Sequence, residues 1–246
     1  EDPVHEAMIR MVEFFRLNGR KIGVLAAVAL LLGVGIYGGL QYLKGREMQA
    51  QDRLGRGIEF FHAQVTPEAG EDPYAIGSSP AFRSENAKYQ AAAGEFSAAM
   101  SLHSFGKTAV TARYYLALSQ LRTGNRTEAI QNLESVASNS KDRTLGYLAK
   151  KVLASSHAES GNHKGARDIL ESMIKDPQCP LPKDQLSLEL ARSLVAQGNR
   201  AEAVKVLQDA SAQGPSFSML KQQLILELDK VQKAPATGSA LRPVNP

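Results

Sequence analysis

The chain has 246 residues, and 43% hydrophobic against 22% charged residues is enough apolar material for a folded core, which excludes a chain that is disordered throughout. The 29 basic and 25 acidic residues give a net charge of +4 and are interspersed, which argues against a nucleic-acid-binding protein. The single cysteine, Cys179, excludes an intramolecular disulfide and leaves the redox compartment open.

Residues 22–43 form an uncharged run, IGVLAAVALLLGVGIYGGLQYL, with basic residues on both sides. At 1.5 Å per residue a helix of this length reaches about 33 Å, enough to cross a hydrocarbon core of roughly 30 Å. The alternative is a cleaved signal peptide, but the run is longer than such peptides usually carry, and the MQAQ that follows lacks an A-x-A-like cleavage pattern. The run therefore predicts one transmembrane helix that is retained as an anchor.

The spacing Gly35-x-x-x-Gly39 places two small residues on one face of this helix, where a second transmembrane helix could approach closely. We predict a helix contact at this face, and the alternative is that the face meets lipid. Orientation is not decided by the charges, because four basic residues flank each end of the run. They are Arg10, Arg16, Arg20 and Lys21 before it, and Lys44, Arg46, Arg53 and Arg56 after it.

Residues 1–21 precede the anchor and contain a short amphipathic pattern. Met8, Met11, Val12 and Phe15 fall on one helix face. This segment is predicted to lie at the membrane interface, with docking on a partner helix as the alternative.

Residues 44–83 are predicted to be a membrane-proximal helix followed by a loop. Leu54, Ile58 and Phe61 keep a helical spacing after the anchor, and the next stretch is rich in proline and glycine. A second helical pattern starts near Ser84 and breaks around Gly106.

A Gly-Asn pair occurs three times, in GNRTEAI, GNHKGAR and GNRAEAV, with Gly124, Gly161 and Gly198 spaced 37 residues apart. Glycine ends a helix by adopting a positive φ, so each pair predicts the turn of a helical hairpin. Alanines recur at the same spacing before the turn (Ala117, Ala154, Ala191) and after it (Ala129, Ala166, Ala203). Such self-similarity predicts stacked repeats over residues 84–233.

These positions resemble the tetratricopeptide repeat, with a leucine and a small residue in the first helix and an alanine twelve residues later. The period of 37 instead of 34, the absence of tryptophan, and leucine at positions 133, 170 and 207 are departures from its pattern. The expected fold is all-α, with one N-terminal transmembrane helix followed by an α-solenoid of tetratricopeptide-like hairpins. FSMLKQQLILELDKV is predicted to cap the stack through Leu220, Leu224, Leu228 and Val231, and residues 234–246 are predicted to be a flexible tail.

The order of segments, with VEFFRLNGRK ahead of the anchor, resembles the bacterial family of ancillary Sec translocon subunits. The resemblance implies a cytoplasmic N-terminus, an inner-membrane anchor and a periplasmic repeat domain. It also implies association with the translocon and with its membrane-anchored prolyl isomerase chaperone. The predicted function is a membrane-anchored protein-interaction scaffold, and the alternative is a structural accessory subunit permanently docked on a large membrane complex.

No catalytic motif is present in the sequence, so we predict a protein that is not an enzyme and that uses no cofactor or small-molecule substrate. His157 and His163 flank the Gly161 turn, with Glu159 between them, and a surface turn is favoured over a metal site. Glu128, Glu134 and Asp168 are expected to be solvated.

In a tetratricopeptide-like fold the first helix of each hairpin lines a concave groove. An apolar strip with two cations there is predicted to hold an extended or helical peptide that carries an acidic group, while the alternative is that some of the leucines pack between repeats and the cations are solvated. The predicted groove residues are Tyr114, Leu118, Leu121, Leu148, Lys151, Leu188 and Arg192.

Overall fold

The computed structural model describes residues 3–75, 77, 79–139, 141–213 and 219–233. This part of the chain is almost entirely helical, as the sequence predicts. The elements are α1 (Pro3–Phe61), β1 (Gln64–Val65), β2 (Ala81–Phe82), α2 (Glu85–Leu102), α3 (Gly106–Arg122), α4 (Arg126–Asn139), α5 (Arg143–Glu159), α6 (His163–Lys175), α7 (Lys183–Ala196), α8 (Arg200–Gln213) and α9 (Met219–Lys233).

Helix α1 is continuous from the N-terminal segment through the apolar run and beyond it. Its most apolar window has a mean hydropathy of 2.2 and is 0% buried, so the helix is long and apolar enough to cross a membrane or to act as a signal sequence. The side chains of Met11, Val12 and Phe15 lie outside the described residues. The predicted amphipathic face therefore stays a prediction.

The C-terminal third of α1 packs against α2, which runs antiparallel to it. Arg53 Nη1 lies 3.0 Å from Glu95 Oε1, and Phe61 stacks edge-to-face on Tyr89 with ring centroids 5.1 Å apart. Ala50, in this part of α1, is fully buried. The helix that carries the apolar run therefore forms the first half of a hairpin with α2.

A loop of about twenty residues connects α1 to α2, as the prolines and glycines predict. The pairs Gln64 with Ala81 and Val65 with Phe82 form a two-residue parallel ladder that closes the loop at its base. The loop is held on the domain because the Phe60 and Phe82 rings meet at 5.3 Å. The predicted boundaries at residues 43 and 83 stay a prediction.

Three further hairpins, α3–α4, α5–α6 and α7–α8, follow in sequence, and each turns at a Gly-Asn pair as predicted. Gly124, Gly161 and Gly198 have φ values of +87, +80 and +81°. The amide of the following asparagine donates to the carbonyl five residues back, at 2.8 to 2.9 Å. A positive φ at glycine with this hydrogen bond is the Schellman geometry that ends a helix and reverses the chain.

The core of the stack is built from the recurring small and aliphatic residues. The six alanines predicted at matched positions are all buried, and so are Leu133, Leu170 and Leu207. The same order, alanine and then a larger residue four positions on, is present in α2 as Ala92 and Phe96, both fully buried. The α1–α2 pair thus repeats the core pattern of the other three hairpins, although its long loop replaces the Gly-Asn turn.

Helix α9 covers the end of the stack. Val231 is buried and Leu228 packs on the core cluster formed by α5 to α8, in agreement with the predicted cap. The side chains of Leu220 and Leu224, and the predicted tail at 234–246, lie outside the described residues.

Candidate functional site

Helices α3 and α5 form the walls of a concave groove with a cavity volume of about 490 Å³. The lining side chains of each helix are three or four residues apart, which turns them to one face. Five of the seven predicted groove residues line this cavity: Tyr114, Leu118, Leu121, Leu148 and Lys151.

The apolar side chains of the groove divide into two kinds. Tyr114 and Leu121 pack against the core cluster of α3 to α5, and burial raises the pKa of the Tyr114 hydroxyl. Leu118 and Leu148 are partly exposed and, in the part of the chain that the structure describes, belong to none of the core clusters. The two leucines therefore present apolar surface that the core does not use.

The two predicted cations are paired within the domain. Lys151 Nζ lies 3.1 Å from Glu189 Oε1 on α7, and Arg192 Nε lies 3.0 Å from Glu227 Oε1 on α9. An acidic ligand would have to compete with these glutamates. Arg122 is exposed at the rim of the groove, with its guanidinium 5.9 Å from the Tyr89 ring centroid, and offers a further cation there.

The last two predicted residues lie outside this cavity. Leu188 is buried in the core cluster of α5 to α8, and Arg192 lies beside Leu226 and Glu227 of α9 in a separate cleft. Helix α9 lies over this end of the concave face, where Glu227 pairs with Arg192. The alternative role, leucines packing between repeats, therefore describes Leu188.

Phe61 also lines the groove, and the sequence did not reveal it as a groove residue. Its ring meets Tyr89 at 5.1 Å and Tyr115 at 5.6 Å, both edge-to-face. The end of α1 therefore closes one side of the groove. The sequence contains the aromatic residues Phe60, Phe61 and Tyr89 but does not show that they meet.

The two histidines beside the Gly161 turn belong to its structure. The Asn162 side-chain amide lies 3.2 Å from His157 Nδ1, and the backbone carbonyl of His163 accepts from Ser193 Oγ and Gln197 Nε2. Among the described residues no group of three or more His, Cys, Asp or Glu side chains could hold a metal ion. Glu128, Glu134 and Asp168 are exposed, as predicted.

Gly35 and Gly39 lie on the exposed part of α1. A Cβ placed on either residue would meet no atom within 4 Å among the described residues, so this face is open. The predicted contact with another transmembrane helix stays a prediction.

Comparison with known proteins identifies repeats in two parts of the chain. Residues 157–224 match one family model described as tetratricopeptide repeat, and residues 111–142 match another. A crystal structure of Podospora anserina kinesin light chain, with nearly identical TPR-like repeats, is similar to this chain at 18% identity and a TM-score of 0.47. The similarity covers 60% of this chain and 88% of that one. No curated protein matches the chain.

The matched models indicate no catalytic family, and tetratricopeptide repeats mediate protein–protein contacts. Together with the stacked hairpins, the matches at 111–142 and 157–224 make the C-terminal part of this chain a tetratricopeptide-like repeat domain of the protein-interaction class.

Proposed function

We propose that this protein is a membrane-anchored scaffold that binds an apolar segment of a partner protein in the α3–α5 groove. The observation that carries the proposal is the apolar surface of Leu118 and Leu148, which line the groove and are not used by the core. A groove of this kind receives an extended or helical peptide through a few apolar anchors. Arg122 at the rim favours a peptide with an acidic residue beside its apolar part.

Anchoring is supported by the way α1 joins the domain. The helix continues without a break from the apolar run to Phe61, and its last turns are part of the packed hairpin. A continuous helix holds the groove at a fixed distance from the membrane, at 1.5 Å per residue of α1. The proposed topology has a cytoplasmic N-terminus and a periplasmic repeat domain at the bacterial inner membrane.

The proposed partners follow from the family resemblance of the sequence. They are the Sec translocon and a membrane-anchored prolyl isomerase, both of which handle unfolded segments rich in apolar residues. A weakly binding groove suits that work, because a segment that is still being exported must be released.

A second function, permanent docking as a structural accessory subunit of a large membrane complex, is favoured by one observation. The face of α1 that carries Gly35 and Gly39 is open to a close helix contact. Permanent docking would use this face, whereas transient binding would use the groove.

The groove is tested by peptide binding to the full-length protein in mild detergent. Leu118→Glu places a charge among the apolar anchors and should weaken binding of a fluorescent apolar peptide at least about tenfold, a loss of roughly 1.4 kcal/mol. The matched control is Gln131→Glu, which adds the same charge at an exposed position on α4. Equal affinity of both variants would refute the groove as the binding surface.

The partner is tested by mass spectrometry of proteins that co-purify from native membranes, with and without a cross-linker. Recovery of translocon and prolyl isomerase subunits mainly with the cross-linker supports the transient scaffold. Permanent docking is supported instead if subunits of another complex co-purify in stoichiometric amounts without the cross-linker. These subunits should then be lost from a Gly35→Ile, Gly39→Ile double variant.

A further inference from the structure

The turn between α2 and α3 is fastened to α1 immediately after the apolar run. Arg46 Nη2 donates to the Ser101 carbonyl at 3.0 Å. Glu47 accepts from the Thr108 hydroxyl at 2.6 Å and lies 2.7 Å from His103 Nε2. Ser101 lies before the turn and Thr108 lies after it. The two bonds therefore fix the position of the turn relative to α1.

The turn between α2 and α3 lies beside the residues of α1 that directly follow the uncharged run 22–43. Helix α2 runs antiparallel to α1, so its contacts move from Phe61 with Tyr89 at one end to Arg46 with Ser101 at the other. Leu102 and Tyr42 line the same surface cavity. Tyr42 is the penultimate residue of the uncharged run, so the turn after Leu102 reaches the end of that run.

Phe105, at the tip of this turn, is the most exposed large apolar side chain in the described part of the chain, with 79% of its surface accessible. Its ring belongs to none of the core clusters of the described residues. The exposed Lys107 follows two residues later. Packing within the domain therefore gives no reason for a phenylalanine here.

We propose that Phe105 inserts into the headgroup layer of the bilayer that α1 crosses, with Lys107 beside it at the anionic lipid surface. The inference rests on the proposed membrane anchoring. An aromatic side chain next to a basic one is the composition that settles at a membrane interface. Docking at this second point holds the repeat domain in one orientation relative to the membrane.

Lipid is favoured over a protein partner by the surroundings of the turn. Tyr37 and Tyr42 are exposed on α1 on the membrane side of the turn, and Lys44 and Arg46 follow them. Phe105 thus extends an interfacial belt of aromatic and basic residues that α1 already carries. A single protruding ring that belongs to no core cluster of the described residues is suited to lipid more than to a protein surface.

The absence of tryptophan from the chain allows a direct test with single-tryptophan variants. Phe105→Trp reports on the turn, and Tyr37→Trp reports on the apolar run. Tyr74→Trp reports on the far end of the α1–α2 hairpin, where the Tyr74 hydroxyl donates a hydrogen bond to Glu59. Each full-length variant is reconstituted in vesicles of phosphatidylcholine and phosphatidylglycerol, with acyl chains that are plain or brominated near the headgroup. Circular dichroism melting confirms that each variant is folded.

We expect bromine quenching and a blue-shifted emission for Tyr37→Trp and for Phe105→Trp, and neither for Tyr74→Trp. If Tyr37→Trp is quenched while Phe105→Trp emits as a solvated indole, the proposed membrane anchoring is supported and the proposed docking of Phe105 at the interface is wrong. If Tyr37→Trp is not quenched, the proposed anchoring fails, and the docking proposal fails with it.

Discussion

Gly57 on α1 packs directly against the ring of Phe96 on α2. A Cβ on Gly57 would lie 2.5 Å from the Phe96 ring, a non-bonded distance so short that one of the two groups would have to shift. Phe96 fills the core position that leucine occupies in the other three hairpins, at 133, 170 and 207. The larger ring is accommodated because residue 57 has no side chain.

We predict that Gly57→Ala lowers the free energy of unfolding by about 1–3 kcal/mol, because the ring is held in a packed core and must shift. Adding Phe96→Leu should recover part of this loss, since it restores the combination of small residue and leucine that the other hairpins use. Urea denaturation of the full-length protein in mild detergent measures both.

The matched control for this prediction is Gly55→Ala, two residues away on the same helix, where a Cβ meets nothing within 4 Å. That change should stabilise the helix by about 0.5–1 kcal/mol. A destabilisation by Gly55→Ala as large as that by Gly57→Ala would show that the Phe96 contact is not the cause.

At the scale of the helical hairpin, the Gly-Asn turn sets where the first helix ends. Gly161 has a φ of +80°, a conformation that costs a residue with a Cβ about 1–2 kcal/mol. We predict that Gly161→Ala destabilises the protein by that amount, and that Gly94→Ala, within α2 with open space around it, stabilises it by about 0.5–1 kcal/mol. Glycine-to-alanine substitution is thus expected to lower stability at one position and raise it at the other. Thermal melting followed by circular dichroism checks both. Equal shifts of Tm in the same direction would contradict the role of φ.

The hairpins from α3 to α8 were predictable from the sequence because their turns and alanines recur at one spacing. The α1–α2 hairpin was not, because the loop between Phe61 and Glu85 separates Gly57 from Ala92 and no Gly-Asn pair marks the turn. Helical periodicity identifies which face of a helix is apolar but not which neighbour covers it.

The groove shows the same limit. The resemblance to the tetratricopeptide repeat implies that Tyr114, Leu118 and Leu148 share one concave surface, and the structure brings them together. The sequence could not place Phe61, whose position depends on where α1 ends. Nor could it show that α9 lies over Arg192, since only the folded chain brings residues 35 positions apart into contact.

Over the whole molecule, three hydrogen-bonded carboxylates have lowered pKa values, and two of them connect neighbouring helices. Hydrogen bonds from Thr108 and then Gln51 hold the pKa of Glu47 below its ordinary value of 4.5, with the charge of His103 adding to the effect. The Arg167 side chain lowers the pKa of Glu171, and the Tyr147 hydroxyl lowers the pKa of Asp176. Glu47 joins α1 to α3, and Asp176 joins the end of α6 to α5.

These three groups predict how stability depends on pH. Because their pKa values are lower in the folded state, the unfolded chain binds more protons near pH 4, so the free energy of unfolding falls as pH falls. The contribution is complete above the ordinary values of 4.5 for Glu and 3.8 for Asp, and it is lost as pH drops through the lower folded values. Urea denaturation in detergent between about pH 6 and pH 3 should show this decline.

A variant with Glu47→Gln, Glu171→Gln and Asp176→Asn removes the titrating groups and keeps side chains of the same shape. It should be less stable than the native chain at pH 6 and should lose less stability on acidification, so the two curves converge toward pH 3. The matched control is Glu134→Gln, at an exposed position of α4, which should leave the slope unchanged. Parallel curves for the triple variant and the native chain would mean that acid sensitivity arises elsewhere, for instance from the general increase in positive charge as all carboxylates are protonated.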